Sequence, residues 1–284
     1  MIQQTFYKDR PAIALTGKSL RATFIPLDGA KLASLTTAEG IELLAQAPGE
    51  VYKRLGLDTS YVKSECSAFD DMFPTIDPCM IGGMDYLDHG EVCRREHEVE
   101  IAEDSVTFRC MLTGLNVEYT KRVFFEGDAL CIRYSLQNRN DFDFPYVWAA
   151  HMMLAGEEGA YAESGFTEAS PIKVMFGQPA SAAHMLPAIG ACREYKFYYT
   201  EKKEPISCTV VYPHKKLRLT VDFDSVVGYL GLWMNPGDLN GMYNLAIEPC
   251  TALYDCPPKA EAAGAASFIP RQNKIEFTMK IGKE

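Results

Sequence analysis

Along several stretches of the chain, apolar and polar residues alternate with the period of a strand that has one face buried. These are Ser19–Leu27 (SLRATFIPL), Ser105–Leu112 (SVTFRCML), Tyr119–Gly127 (YTKRVFFEG), Ala129–Asn138 (ALCIRYSLQN), Cys208–Pro213 (CTVVYP), Lys216–Phe223 (KLRLTVDF) and Lys274–Gly282 (KIEFTMKIG). Turn-forming clusters separate them, among them LDGAK, EGDAL, QNRNDFDFP and MNPGDLNG. Long stretches with helical periodicity are missing. Strand after turn after strand, without intervening helices, predicts an all-β chain built as an antiparallel sandwich or barrel. The Gly/Ala-rich regions 155–165 and 178–192 and the run AEAAGAASF at 260–268 are expected to be loops of the kind that rim a ligand site.

Composition narrows this. With 284 residues and 47% hydrophobic content the chain has material for a sizeable core. No composition shift, linker or repeat divides it, so a single domain over 1–284 is expected. No apolar run approaches the roughly 20 residues that cross a bilayer, and the N-terminus lacks the character of a signal or transit peptide. The nine cysteines are scattered without a C-x-x-C pair, which fits a reducing compartment, and a cytoplasmic location is expected. A formal charge of −10 argues against nucleic-acid or membrane partners. Arg94-Arg95, Lys202-Lys203 and Lys215-Lys216 are then read as solvated surface.

Four runs carry candidate chemistry. In YNLAIEPCTALYD, Glu248 alternates with apolar neighbours and precedes Pro249, which removes a ladder donor. Either the strand ends there and aims the carboxylate into a pocket, or Glu248 lies on the solvent face of an edge strand. In FPYVWAAHMMLA, His151 sits in an aromatic and apolar run, as a satisfied core residue or as a proton exchanger. His89-Gly90 follows acidic and turn-forming residues, and Gly90 allows close backbone approach. Asp70 and Asp71, ahead of Phe73-Pro74, form either an Asx-type turn or a pair of acceptors for vicinal hydroxyls, with aromatic rings to cover a sugar face. The chain has no i, i+4 histidine pair, compact metal-ligand set, nucleophile elbow, phosphate loop or dinucleotide fingerprint, so neither metal nor cofactor is expected.

In order and spacing, these four runs resemble the aldose 1-epimerase family, the galactose mutarotases. The likeness spans about residues 60 to 256. It rests on DDMFPTIDP, His89-Gly90, FPYVWAAHMM, LGLWMNPGD and the Ile247-Glu248-Pro249 element. It implies a β-supersandwich fold with an open sugar cleft, a small-molecule sugar as partner and no cofactor. By the match Glu248 is the base that removes the anomeric O1 proton, and His151 is the acid that protonates the ring oxygen O5. His89 then stabilises charge on O5, and Asp70 or Asp71 holds hydroxyls further round the ring. Arg94, just after His-Gly, stands where some relatives place a basic residue and is a candidate phosphate contact.

The match departs at two places. Asp70-Asp71 stand where members carry an Asn-Arg pair, and the aspartate that members place between the histidine and the glutamate has only Asp222 and Asp224 as positional candidates. A non-catalytic carbohydrate-binding or regulatory protein is therefore the competing expectation. A glycosidase using Glu248 with Asp70 or Asp71 ranks behind it, because it leaves His151 without a part.

Overall fold

A computed structural model describes residues 1–180 and 183–284. Two large antiparallel sheets stack face to face around one apolar interior. The ten-stranded sheet runs, in spatial order, Ile2–Tyr7, Arg10–Thr16, Leu20–Ile25, Lys31–Thr37, Phe69–Met72, Ala149–Ala155, Tyr243–Cys250, Tyr229–Pro236, Tyr195–Tyr199 and Ile172–Phe176. The eight-stranded sheet runs Tyr161–Ser164, Ser207–Tyr212, Leu217–Phe223, Lys274–Lys283, Ala129–Asn138, Val117–Glu126, Ser105–Leu112 and Glu98–Ile101. The ten-stranded sheet takes its strands from residues 2–250 and the eight-stranded sheet from residues 98–283, and of the sandwich or barrel that the alternating pattern predicts, two stacked sheets make the sandwich.

All the alternating runs except Ser19–Leu27 belong to the eight-stranded sheet. Its strands turn one face to the core and one to solvent, which is what writes a period of two into sequence. The ten-stranded sheet differs at its centre. Phe69–Met72, Ala149–Ala155, Tyr243–Cys250, Tyr229–Pro236 and Tyr195–Tyr199 are almost entirely buried. One face packs on the sandwich interior, while on the other Met72, Ala149, Tyr198 and Cys250 pack under Leu55, Tyr61, Cys66, Cys93 and Leu253 from covering segments.

Two expected loops contain regular structure. The region 155–165 includes the edge strand Tyr161–Ser164, and 260–268 takes in the end of the helix Pro257–Ala262 and the start of the short strand Ser267–Ile269. Proline in the first turn of that helix loses no hydrogen bond, since the first amides of a helix have no internal partner. Of the expected loop 178–192, Ser181 and Ala182 lie outside the described residues. Among the described residues no helix is long and apolar enough to cross a membrane, and all nine cysteines are free thiols.

Candidate functional site

Strand register assembles the site. His151 pairs with Asp70, and Met152 pairs with Ile247, so the same antiparallel register sets His151 across from Glu248. Glu248 pairs in turn with Gly231, and Gly231 with Tyr198. Because side chains on paired positions share a face, Asp70, His151, Glu248 and Tyr198 form a row across the outer face of the central strands. Two residues along, Trp233 pairs with Lys196 and begins a second row. Gly231 makes the first row possible, since a Cβ there would lie 2.8 Å from the Tyr198 ring. Glu248 is on a central strand, paired on both sides, which overturns the edge-strand reading. The ladder to Ala149–Ala155 is interrupted at Glu248 and Pro249, where proline has no amide proton to give.

Above these rows lies a cavity of about 180 Å³ lined by Tyr61, Cys66, His89, His151, Phe176, Glu194, Lys196, Trp233 and Glu248. It is smaller than the roughly 300–1,000 Å³ of sites for drug-sized ligands, which suits one small polar molecule. His151 Nε2 stands 3.9 Å from Glu248 Oε1, with the two residues 5% and 1% exposed. The Tyr61 hydroxyl donates to Asp70 Oδ2 at 2.8 Å, and Lys31 pairs with the same carboxylate. Its single proton thus committed, Tyr61 accepts from His151 Nδ1 at 3.3 Å. That network assigns the imidazole proton to Nδ1 and leaves the Nε2 lone pair facing Glu248 and the cavity.

His89 stacks on Tyr61 with ring centroids 4.0 Å apart, and its Nδ1 lies 2.8 Å from Asp88 Oδ1. Its backbone is left-handed, at φ +58°, and is followed by Gly90 at φ +74°, where a Cβ would lie 2.4 Å from the Phe73 carbonyl oxygen. This turn carries the His89 ring over the sheet. Opposite it, Trp233 stands 5.7 Å from the His151 ring and donates from Nε1 to Glu194 Oε2 at 3.0 Å.

Lys196 was not singled out in the sequence. Its Nζ lies 2.7 Å from Glu248 Oε2 and 2.9 Å from Asp255 Oδ1, which also accepts the Tyr198 hydroxyl at 2.7 Å. Among the described residues no other group donates a hydrogen bond to either oxygen of Glu248. Burial raises the Glu248 carboxyl above its usual range, with Lys196 opposing. Burial, together with the charges of His89, Lys196 and Lys31, takes His151 well below the usual imidazole value. The Asp255 carboxyl is lowered, because Lys196 and Tyr198 outweigh its burial.

Three of the expected site residues, His89, His151 and Glu248, line the cavity. Asp70 stands behind Tyr61, on the same face but screened from the cavity. Asp71 corrects the expectation. Neighbours along a strand point to opposite faces, so its carboxylate enters the sandwich interior, taking Lys121 Nζ at 2.8 Å and the Tyr134 hydroxyl at 2.8 Å. Arg94 is a second correction. Its buried guanidinium is spent on the carbonyls of Gly56, Thr59, Asp88 and Gly90 at 2.6–3.1 Å, clamping loops together. Asp222 and Asp224 are exposed residues outside the cavity lining, bonded to Ser207 and to the Thr278 amide. Two wider clefts, of about 590 and 600 Å³, place neither a histidine nor a lysine opposite a carboxylate.

No protein-family model matches the sequence, and no curated protein matches it. Solved structures do share its fold. A galactose mutarotase-like protein from Lactobacillus casei is 17% identical with a TM-score of 0.68, covering 96% of this chain and 100% of that one. A galactose mutarotase-like protein from Clostridium acetobutylicum is 14% identical with a TM-score of 0.67, covering 100% and 98%. A galactose mutarotase related enzyme from Lactobacillus acidophilus is 13% identical with a TM-score of 0.68, covering 96% and 97%. At these identities the likeness establishes the fold, a galactose mutarotase-like β-sandwich over the length of the chain.

Proposed function

We propose that the chain is a divergent aldose 1-epimerase, a single domain over residues 1–284 that interconverts the α and β anomers of an aldose. The observation that carries this reading is His151 Nε2 facing Glu248 Oε1 at 3.9 Å across adjacent strands, at the floor of a small cavity walled by aromatic rings. Opening a hemiacetal demands proton transfers at two oxygens bonded to one carbon. Glu248 takes the O1 proton as the C1–O1 double bond forms. His151 gives a proton from Nε2 to O5 as C1–O5 breaks. Rotation about C1–C2 and the reverse transfers close the ring on its other face.

With Nδ1 already protonated towards Tyr61, donation from Nε2 makes the imidazolium the working form of His151. The active pair is thus the carboxylate with the imidazolium, one proton above the carboxylate with the neutral ring. In this reading His89, which stacks on Tyr61 at the cavity, stabilises charge on O5, and Trp233 and Phe176 offer apolar surface to a sugar face.

NMR magnetisation exchange between the anomers of glucose and galactose tests the reading. The wild type should accelerate exchange. Glu248→Gln and His151→Asn should each lose at least about a hundredfold, the scale of general acid or base catalysis. Exchange at the buffer rate across a broad panel of aldoses would overturn it. A carbohydrate-binding protein is the second reading, favoured by the lack of any arginine among the described residues that line the cavity. Sugar binding that is indifferent to Glu248→Gln, without exchange, would support that alternative.

A further inference from the structure

Glu248 presents a chemical problem. It is 1% exposed, and among the described residues no neutral group donates a hydrogen bond to either oxygen. Without a cation a carboxyl in such surroundings keeps its proton, and a protonated Glu248 cannot take one from a sugar. The groups that face it decide the matter. From Ala149–Ala155 comes the imidazole of His151, and from the covering loop His89. Tyr195–Tyr199 supplies Lys196 and Tyr198, Tyr229–Pro236 the uncharged Gly231 and Trp233, its own strand Cys250, the segment beyond it Asp255, and the cavity wall Glu194. Among the described residues, Lys196 is the one lysine or arginine within 4.0 Å of the carboxylate.

We propose that Lys196 is the positioning and charge-setting residue of this site, holding Glu248 as an ionised base with Oε1 turned to His151 and the cavity. The proposal rests on the reading of Glu248 as the base. Lys196 reaches Oε2 at 2.7 Å, the oxygen away from His151, so Oε1 stays available to a substrate proton. The lysine is itself anchored on its far side by Asp255 Oδ1 at 2.9 Å, which the Tyr198 hydroxyl also holds at 2.7 Å. Asp255 and Glu248 together outweigh the cost of burying the ammonium and keep it protonated. A protonated lysine is no nucleophile, so it does not condense with the open-chain aldehyde that ring opening creates beside it.

The two acids flanking Lys196 act on Glu248 in opposite senses, and this gives a signed test. Carbon-13 NMR of the Glu248 side-chain carboxyl in the free protein, with the signal assigned by its loss in Glu248→Gln, is followed against pH in wild type, Lys196→Met and Asp255→Asn. Lys196→Met removes the stabilising cation and should move the Glu248 midpoint up by at least about one pH unit, the scale of an adjacent opposite charge. Asp255→Asn removes a repelling carboxylate, keeps the side-chain shape and should move it down. Lys196→Arg should restore most of the wild-type midpoint. The acid limb of kcat/KM for anomer exchange should move with the midpoint in each variant.

If Lys196→Met fails to fold, the downward shift expected in Asp255→Asn carries the test alone. A Glu248 midpoint that stays within about 0.3 pH unit of wild type in every folded variant except Lys196→Arg overturns the proposal. If these shifts appear but the wild type exchanges no anomers, the charge-setting role stands and the epimerase reading falls.

Discussion

At the scale of single residues, the site is a pair whose two members are pushed towards each other. Glu248 is shifted up by burial and His151 down by burial and neighbouring cations. Activity as proposed requires Glu248 without its proton and His151 with an extra one. Raising the first delays the rise of activity on the acid side, and lowering the second brings forward its fall on the alkaline side. The expected kcat/KM profile between about pH 4 and 9 is therefore a bell narrower than an ordinary glutamate and histidine give, with limbs that belong to the pair and not to either residue. A flat plateau from about pH 5 to 8 would contradict it.

Glu248, His151 and the His89-Gly90 turn were legible in the sequence because each set an ionisable or flexible residue in an unexpected setting. Lys196 was not. In Tyr195–Tyr199 it falls at an alternate position, where a lysine reads as an ordinary solvent-facing residue, and only the fold shows that this face is covered. Tyr61 and Trp233 carry no sequence signal that separates a cavity wall from core, and Asp255, at the end of the run that holds Glu248, has no feature in sequence to mark it.

At the scale of elements, the alternating pattern located the eight-stranded sheet and was silent on the strands that bear the site. A strand buried on both faces has no polar side to announce it, so Ala149–Ala155 and Tyr229–Pro236 read only as apolar runs. The strand Phe69–Met72 shows the limit most clearly. Its paired aspartates look alike in sequence, yet one supports Tyr61 and the other pairs with Lys121 inside the sandwich, where both side chains are fully buried. Removing Lys121 leaves that inner carboxylate without its cation. Lys121→Met is expected to lower stability by about 3–5 kcal/mol, the usual cost of breaking a buried pair on one side. Urea denaturation should show a lower midpoint, and a loss below about 1 kcal/mol would mean that Asp71 finds other compensation.

At the scale of the whole molecule, charge bears on the choice of sugar. The chain carries a formal charge of −10, and the cavity adds Glu194 and Glu248 against Lys196, which two carboxylates already hold. Lysines that might have met a phosphate are engaged elsewhere, Lys202 with Glu204 and Lys203 with the Gly165 carbonyl. Free glucose should therefore exceed glucose 6-phosphate in kcat/KM by at least about tenfold at low ionic strength, with the gap narrowing as salt is added. Equal or reversed values would point to a cation that reaches the substrate from beyond the cavity lining.

The two-sided cover of the central strands has a further consequence, for heredity. In the eight-stranded sheet the alternate positions that meet water are free to drift among polar residues. In the five inner strands a change on one face disturbs the sandwich interior, and a change on the other disturbs the ground around His151 and Glu248. Innovation in this scaffold is thereby steered to the loops above the cavity, where a new wall can be tried without rebuilding the floor.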